Sequence, residues 1–184
     1  MSEGRLNRAY LSLGSNIQPE QNLPAAVRAL SEFGRLQAVS RVWESPPYGV
    51  SQQAASGNFL NGALLLETEL SASSICDEII LQVERKLGRV RDPRDKNAPR
   101  TIDVDLSLFN DEVLTVGRHV IPDPAILTRA FVARPLAEVA PDYRHPVAER
   151  TLAEIADELA VRQELWFRGD VALALNSSGP GSSR

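Results

Sequence analysis

Residues 101–109, TIDVDLSLF, alternate between two chemistries with a period of two. Successive side chains of an extended chain point to opposite faces. The pattern therefore puts Ile102, Val104, Leu106 and Leu108 on one face and Thr101, Asp103, Asp105 and Ser107 on the other. A strand of this kind must have a core on one side, while its other side, bearing two carboxylates, opens to water or to a ligand. Two carboxylates this close raise each other's pKa unless a cation lies between them. Mg²⁺ suits such a pair, because it takes one or two carboxylates together with phosphate oxygens. Two solvated acids on an exposed strand would give the same pattern, so the surrounding sequence has to decide.

That sequence is rich in arginine. Between 85 and 100 stand Arg85, Lys86, Arg89, Arg91, Arg94, Lys96 and Arg100, against only Asp92 and Asp95. Arg118 and Arg129 follow soon after the acidic pair. Arginine makes planar, bidentate contacts with phosphate. Carboxylates for Mg²⁺ beside arginines for phosphate are the equipment of phosphoryl-type transfer. The chain has no glycine-rich loop ending in Gly-Lys-Ser or Gly-Lys-Thr, so it is not a P-loop protein. The net charge of −4 argues against a binder of long nucleic acid, and a local basic patch on an acidic chain fits a small anionic ligand.

The rest of the pattern supplies a second wall. Ala9 to Leu13 alternates and ends at Gly14-Ser15-Asn16, a strand and a turn. Pro19 opens a helix through Leu23, Ala26, Val27 and Leu30, which stops near Gly34. Residues 36–43 read as one strand, closed by Ser45-Pro46-Pro47; 48–57 read as a loop, and 59–67 as a strand. The proline pair stiffens its loop. Phe59 and Asn61 share a strand face, an aromatic and an amide suited to a flat heterocycle with a hydrogen-bonding edge. Plain core packing would explain Phe59 equally well. Ser71 caps a long helix with Ile75, Ile79, Ile80, Val83 and Leu87 on its apolar face, ended by Gly88. A short strand covers 112–116, and a helical stretch at 125–139 is broken near Thr128-Arg129 or Pro135. Thr151 and Glu154 form a capping box for the last helix, and the Ser/Gly-rich composition from Asn176 onward predicts a frayed end.

The order β-α-β-β-α-β predicts an α+β, ferredoxin-like arrangement: a mostly antiparallel sheet with helices packed on it. Its 184 residues suit one domain, read as 1–162 with a carboxy-terminal extension at 163–184. A single cysteine, Cys76, and two histidines exclude a disulfide framework and a cysteine or histidine-rich metal cluster. The polar start has no signal-like apolar segment, and no apolar run approaches membrane-spanning length, so the expected setting is cytoplasmic with no membrane partner.

Ala98-Pro99-Arg100-Thr101-Ile102-Asp103-Val104-Asp105-Leu106 resembles the signature of the 6-hydroxymethyl-7,8-dihydropterin pyrophosphokinase family. Leu13-Gly14-Ser15-Asn16, Ser45-Pro46-Pro47, Phe59-Leu60-Asn61, the stretch from Glu84 to Arg91, and Arg129-Ala130-Phe131 resemble further family motifs, in family order. The resemblance implies a monomer that moves the β,γ-diphosphate of ATP to the pterin's hydroxymethyl group and releases AMP. Asp103 and Asp105 would hold two Mg²⁺ ions and, with Arg89 and Arg100, form the catalytic group. Glu84, Arg89, Arg91, Arg100, Arg118 and Arg129 would serve ATP. Ser45, Pro46, Pro47, Tyr48, Phe59, Asn61 and Phe131 would form the pterin pocket, with Phe59 and Phe131 sandwiching the ring.

The chain also departs from the pattern. Many members have a histidine after Ile-Pro where this chain has Asp123 in Ile121-Pro122-Asp123. An aspartate there repels phosphate unless Arg118 or Arg129 pairs with it. That substitution motivates an alternative, a catalytically weak or inactive paralogue that binds pterin or nucleotide. A ferredoxin-like RNA-binding module is a third possibility, and the acidic balance and low aromatic content count against it.

Overall fold

A computed structural model describes residues 6–48, 57–90 and 98–173. The strands β1 (Asn7–Ser15), β2 (Arg35–Val39), β3 (Trp43–Ser45), β4 (Phe59–Thr68), β5 (Asp103–Phe109) and β8 (Trp166–Phe167) make one six-stranded sheet. Its order is β5-β1-β4-β3-β8, with β2 also paired to β4, and every pairing is antiparallel. A separate hairpin joins β6 (Leu114–Val116) to β7 (His119–Ile121). The expected mostly antiparallel α+β sandwich is what is found.

Helices cover both faces. On one side lie α1 (Pro19–Leu30) and a helical run made of α2 (Ala72–Ser74), a π-turn (Ile75–Ile79) and α3 (Ile80–Lys86). Leu23, Val27 and Leu30 meet Ile75, Ile80 and Val83 over Leu11, Leu64 and Val104 of the sheet. The long helix expected from Ser71 onward is thus interrupted. The wider turn inserts an extra residue, so that Ile75, Cys76, Ile79, Ile80 and Val83 all reach the core. Cys76 is plain core, its thiol pushed up to about 11 by burial and then by Asp77 and Asp105. On the other side, α4 (Ala130–Val139) and α5 (Leu152–Ala160) cover Tyr10, Ala63, Leu65 and Leu108. The break before α4 falls at Thr128-Arg129; Pro135 stays inside the helix. The capping box on Thr151 and Glu154 is present in both directions.

Two strand expectations need correction. Residues 36–43 do not form one strand. Ser40 turns its hydroxyl inward to accept the Ala63 N–H at 2.8 Å, which ends β2 and restarts pairing as β3. Nor does Leu108 share a face with Ile102, Val104 and Leu106. Between Tyr10 and Leu11 the register slips, pairing Tyr10 with Leu108 and Leu11 with Leu106. Ser107 is the extra residue of this bulge, and beyond it the faces exchange. Leu108 packs under α4 and α5, while Phe109 joins the opposite core.

The register explains where the sheet stops being core. Under α4 and α5, Leu65, Tyr10 and Leu108 form an apolar row across β4, β1 and β5. The next row on that face is Ala63, Ser12 and Asp105, and the next is Asn61, Gly14 and Asp103. Apolar side chains give way to small and then polar ones within four residues of strand.

Candidate active site

The polar rows floor a cleft of about 230 Å³. Ser12, Leu13 and Gly14 come from β1, Phe59 and Asn61 from β4, and Asp103 and Asp105 from β5. Ser45, Pro46, Pro47 and Tyr48 close one end, and Arg100, Arg129, Phe131 and Val132 complete the rim. The volume suits one small ring system and part of a second ligand, not a peptide or nucleic-acid strand.

One wall is neutral and tied by hydrogen bonds. The Asn61 amide nitrogen donates to Ser45 Oγ at 3.0 Å and to the Trp43 carbonyl at 3.1 Å. Its oxygen is left toward Gly14, where an added Cβ would stand 3.6 Å from it and 4.0 Å from Asp103 Cβ. Glycine thus keeps the floor flat between Phe59, Asn61 and Asp103. Tyr48 and Phe131 face each other with ring centres 6.2 Å apart. The Arg129 guanidinium lies 4.3 Å from the Tyr48 ring centre and 5.9 Å from that of Phe131. Phe59 instead carries the Arg100 guanidinium at 5.8 Å.

The other wall is ionic. Asp103 Oδ2 accepts from Arg100 Nη1 at 2.6 Å, and Oδ1 accepts from Arg89 Nη1. The same Arg89 nitrogen reaches Glu84, which also accepts the Val104 N–H at 3.1 Å. Glu84 and Arg89 are buried behind β5, with side chains 3% and 9% exposed, and neither lines the cleft. Burial works to raise the Asp103 pKa, but Arg89 and Arg100 outweigh it and hold the carboxyl below its usual range. Asp105 goes the other way. Burial first, then the charges of Asp103, Asp123 and Glu84, push it up to about 7 against the pull of Arg89. Its side chain still has open surface in the cleft. The crowding of like charges on that open face is what a cation relieves.

The remaining expected residues are more scattered. Arg129 sits against the rings of Tyr48 and Phe131. Arg118 is exposed beside Gly117 in the turn of the β6–β7 hairpin, away from the cleft lining. Arg91 lies outside the described residues. Asp123 pairs with neither Arg118 nor Arg129 among the described residues. Its carboxylate accepts the Ala125 N–H at 2.9 Å, capping a 3₁₀ turn (Pro124–Leu127), and its own N–H bonds the Ser107 carbonyl at 2.8 Å. Sequence reasoning missed Ser12, Leu13, Gly14 and Val132 as lining residues. Ser12 had a signal that register alone converts into a site: its Oγ lies 2.7 Å from Ser107 Oγ, in the row of Asp105.

A ring-sized cleft joined to a carboxylate pair and arginines defines a small-molecule transferase of the phosphoryl-transfer type. The sequence model of the family described as 7,8-dihydro-6-hydroxymethylpterin-pyrophosphokinase (HPPK) matches residues 10–141. The 2-amino-4-hydroxy-6-hydroxymethyldihydropteridine pyrophosphokinase of Pseudomonas aeruginosa is 38% identical over 144 residues, covering 77% of this chain and 85% of that one. Its counterpart from Aquifex aeolicus is 35% identical over 150 residues, covering 81% and 90%. Plasmodium falciparum HPPK-DHPS, wild type with SDX-DHP, superposes with a TM-score of 0.65 at 15% identity, over 88% of this chain and 46% of that one. This chain thus spans under half of that longer protein, and at such identity the likeness shows the fold. The chain belongs to the 7,8-dihydro-6-hydroxymethylpterin-pyrophosphokinase family. Among the described residues, no helix is long and apolar enough to cross a membrane.

Proposed function

We propose that this protein transfers the β,γ-diphosphate of ATP to the hydroxymethyl group of 6-hydroxymethyl-7,8-dihydropterin, giving AMP and the pterin diphosphate. The observation that carries this reading is the row Asn61, Gly14 and Asp103, which sets an amide, a flat gap and an acid side by side on three strands. The pterin lies over Gly14, its ring edge read by Asn61 and its faces met by Phe59 and Phe131. Ser45, Pro46, Pro47 and Tyr48 close the pocket. The hydroxymethyl oxygen bonds to the β-phosphorus and gives up its proton to solvent, the bond between that phosphorus and the oxygen bridging it to the α-phosphorus breaks, and AMP leaves carrying that oxygen.

The donor set fits Mg²⁺. Its donors are hard oxygens, and Asp105 has the like charges of Asp103, Asp123 and Glu84 near it. Among the described residues, no group of three or more His, Cys, Asp or Glu is assembled for a metal. Asp103 and Asp105 would hold the metal, two ions on the family's pattern, which supplies charge neutralisation at the diphosphate and a more acidic acceptor hydroxyl. Arg100, at the cleft rim, reaches phosphate directly. Arg89 works through Asp103, fixing that carboxylate from behind. Catalysis is positioning and charge neutralisation, with no covalent enzyme intermediate.

The test is incubation with MgATP and 6-hydroxymethyl-7,8-dihydropterin, with the nucleotide products resolved. AMP formed only when the pterin is present supports the reading. ADP, or no turnover, overturns it.

A further inference from the structure

The stretch after α5 lies beyond the span that the family's sequence model matches, and it touches both sides of the ring pocket. Gln163 takes the amino-terminal end of α4. Its Oε1 accepts the Ala130 N–H at 2.9 Å, and its Nε2 donates to the Thr128 carbonyl at 2.8 Å. Those two bonds straddle Arg129 and fix the turn from which Phe131 projects. Three residues on, the chain adds β8 to the edge of β3, pairing Phe167 with Trp43 and Trp166 with Glu44. Phe167 packs on Trp43, ring centres 5.9 Å apart, with the Arg41 guanidinium 5.1 Å from the Phe167 ring centre.

Arg168 then takes the opposite side of the pocket. Its backbone N–H bonds the Val42 carbonyl at 2.9 Å, and its Nη1 donates to Glu44 Oε2 at 2.9 Å. The second Glu44 oxygen accepts from Asn58 Nδ2 at 2.7 Å. Glu44 precedes Ser45, and Asn58 precedes Phe59, so one carboxylate links the two strands where their pocket residues begin. Asn58's amide, opposed by burial and aided by Arg168, holds the Glu44 carboxyl below its usual range. Asp170 pairs with the same arginine at 2.7 Å. Val171 and Leu173 finally enter the core, Leu173 so closely that a Cβ on Gly62, beside Asn61, would come within 2.6 Å of its Cδ1.

We propose that residues 163–173 are a brace that sets the width of the ring pocket, with Gln163 and Arg168 as its two positioning residues. Gln163 holds the α4 side that carries Phe131, and Arg168 holds the β3–β4 side that carries Ser45, Phe59 and Asn61. Neither touches the substrate; each acts through a residue that does. The inference rests on the reading of this cleft as the pterin pocket.

The experiment uses the full chain and measures pterin binding by the pterin's own fluorescence, alongside AMP release. Arg168→Gln and Gln163→Ala are each expected to weaken pterin binding and raise its KM by roughly three- to tenfold, the scale of one lost charged or cap hydrogen bond. The KM for ATP and kcat should stay within about twofold of the wild type, since the ionic wall is untouched. Arg168→Lys, which keeps the charge beside Glu44, should recover part of the loss. Variants that melt earlier yet bind pterin as the wild type does would overturn the brace, leaving these contacts merely structural. So would equal losses toward pterin and ATP. A wild type that binds pterin without releasing AMP refutes the proposed activity alone, and the binding comparison still tests the brace. A wild type that binds no pterin refutes both.

Discussion

The two walls of the cleft are built by opposite means. The β3–β4 wall is neutral: Asn61 is buried and its amide nitrogen satisfied by Ser45 and Trp43, so the wall is set before any ligand arrives. The β5 wall is charged and unbalanced, with one carboxylate gripped by two arginines and its neighbour pushed up to about 7. Shape recognition needs only a rigid, satisfied surface. Handling a diphosphate needs charge, and among the described residues the crowding of carboxylates falls on Asp105.

The sharpest break between the walls comes from the acids. Asp105→Asn or Asp103→Asn should cut AMP formation by about 10²–10³-fold or more while circular dichroism shows the fold retained. Near-normal turnover in either variant would contradict the assignment. Next is Arg89→Met, which removes the cation that Glu84 and Asp103 share behind β5. Breaking a buried pair on one side costs about 3–5 kcal/mol, so urea unfolding should show a loss on that scale together with reduced turnover. Asn61→Ala attacks the neutral wall and leaves the Ser45 hydroxyl and Trp43 carbonyl without their donor. A stability loss of about 1–3 kcal/mol is expected, with a raised pterin KM and an unchanged ATP KM.

The last contrast is in pH dependence, without divalent metal. Asp105 has a folded pKa of about 7 against an ordinary 3.8. Between those values the folded state holds a proton that the unfolded chain has released, so this group's contribution to stability falls as pH climbs from 3.8 to 7 and is flat above. Asp105→Asn should remove that slope, so its melting midpoint should rise relative to wild type across that window. Asp123→Asn should flatten the slope only partly. Asparagine is also a good N-cap, so the turn at Pro124 should survive the loss of that charge.

Much of this was legible in residue order. The period-two pattern of 101–109 marked the acidic face, and Phe59 and Asn61 marked the opposite wall from spacing alone. What sequence could not supply was register. The bulge at Ser107 is decided by pairing with β1, and it moved Leu108 to the other core. Gly14 and Ser12 joined the site because of the strands beside them, which no local pattern reveals. Arg129 reads in sequence as one of several arginines that could serve phosphate, and the fold sets it beside the rings of Tyr48 and Phe131. Asp123 looked like a charge in need of an arginine, and it is held by the turn that it caps. The strand β8 has two residues, too few for any periodicity to announce it.

The central claim is that the unbalanced β5 wall is completed by a divalent cation arriving with nucleotide. The direct measurement is Mn²⁺ titration, as a stand-in for Mg²⁺, followed by electron paramagnetic resonance with a non-transferable ATP analogue. Wild type and Asp105→Asn would be compared at pH 8, where Asp105 is ionised. The account predicts nucleotide-dependent Mn²⁺ binding by the wild type and its loss in the variant. Equal Mn²⁺ binding by the two proteins would contradict it.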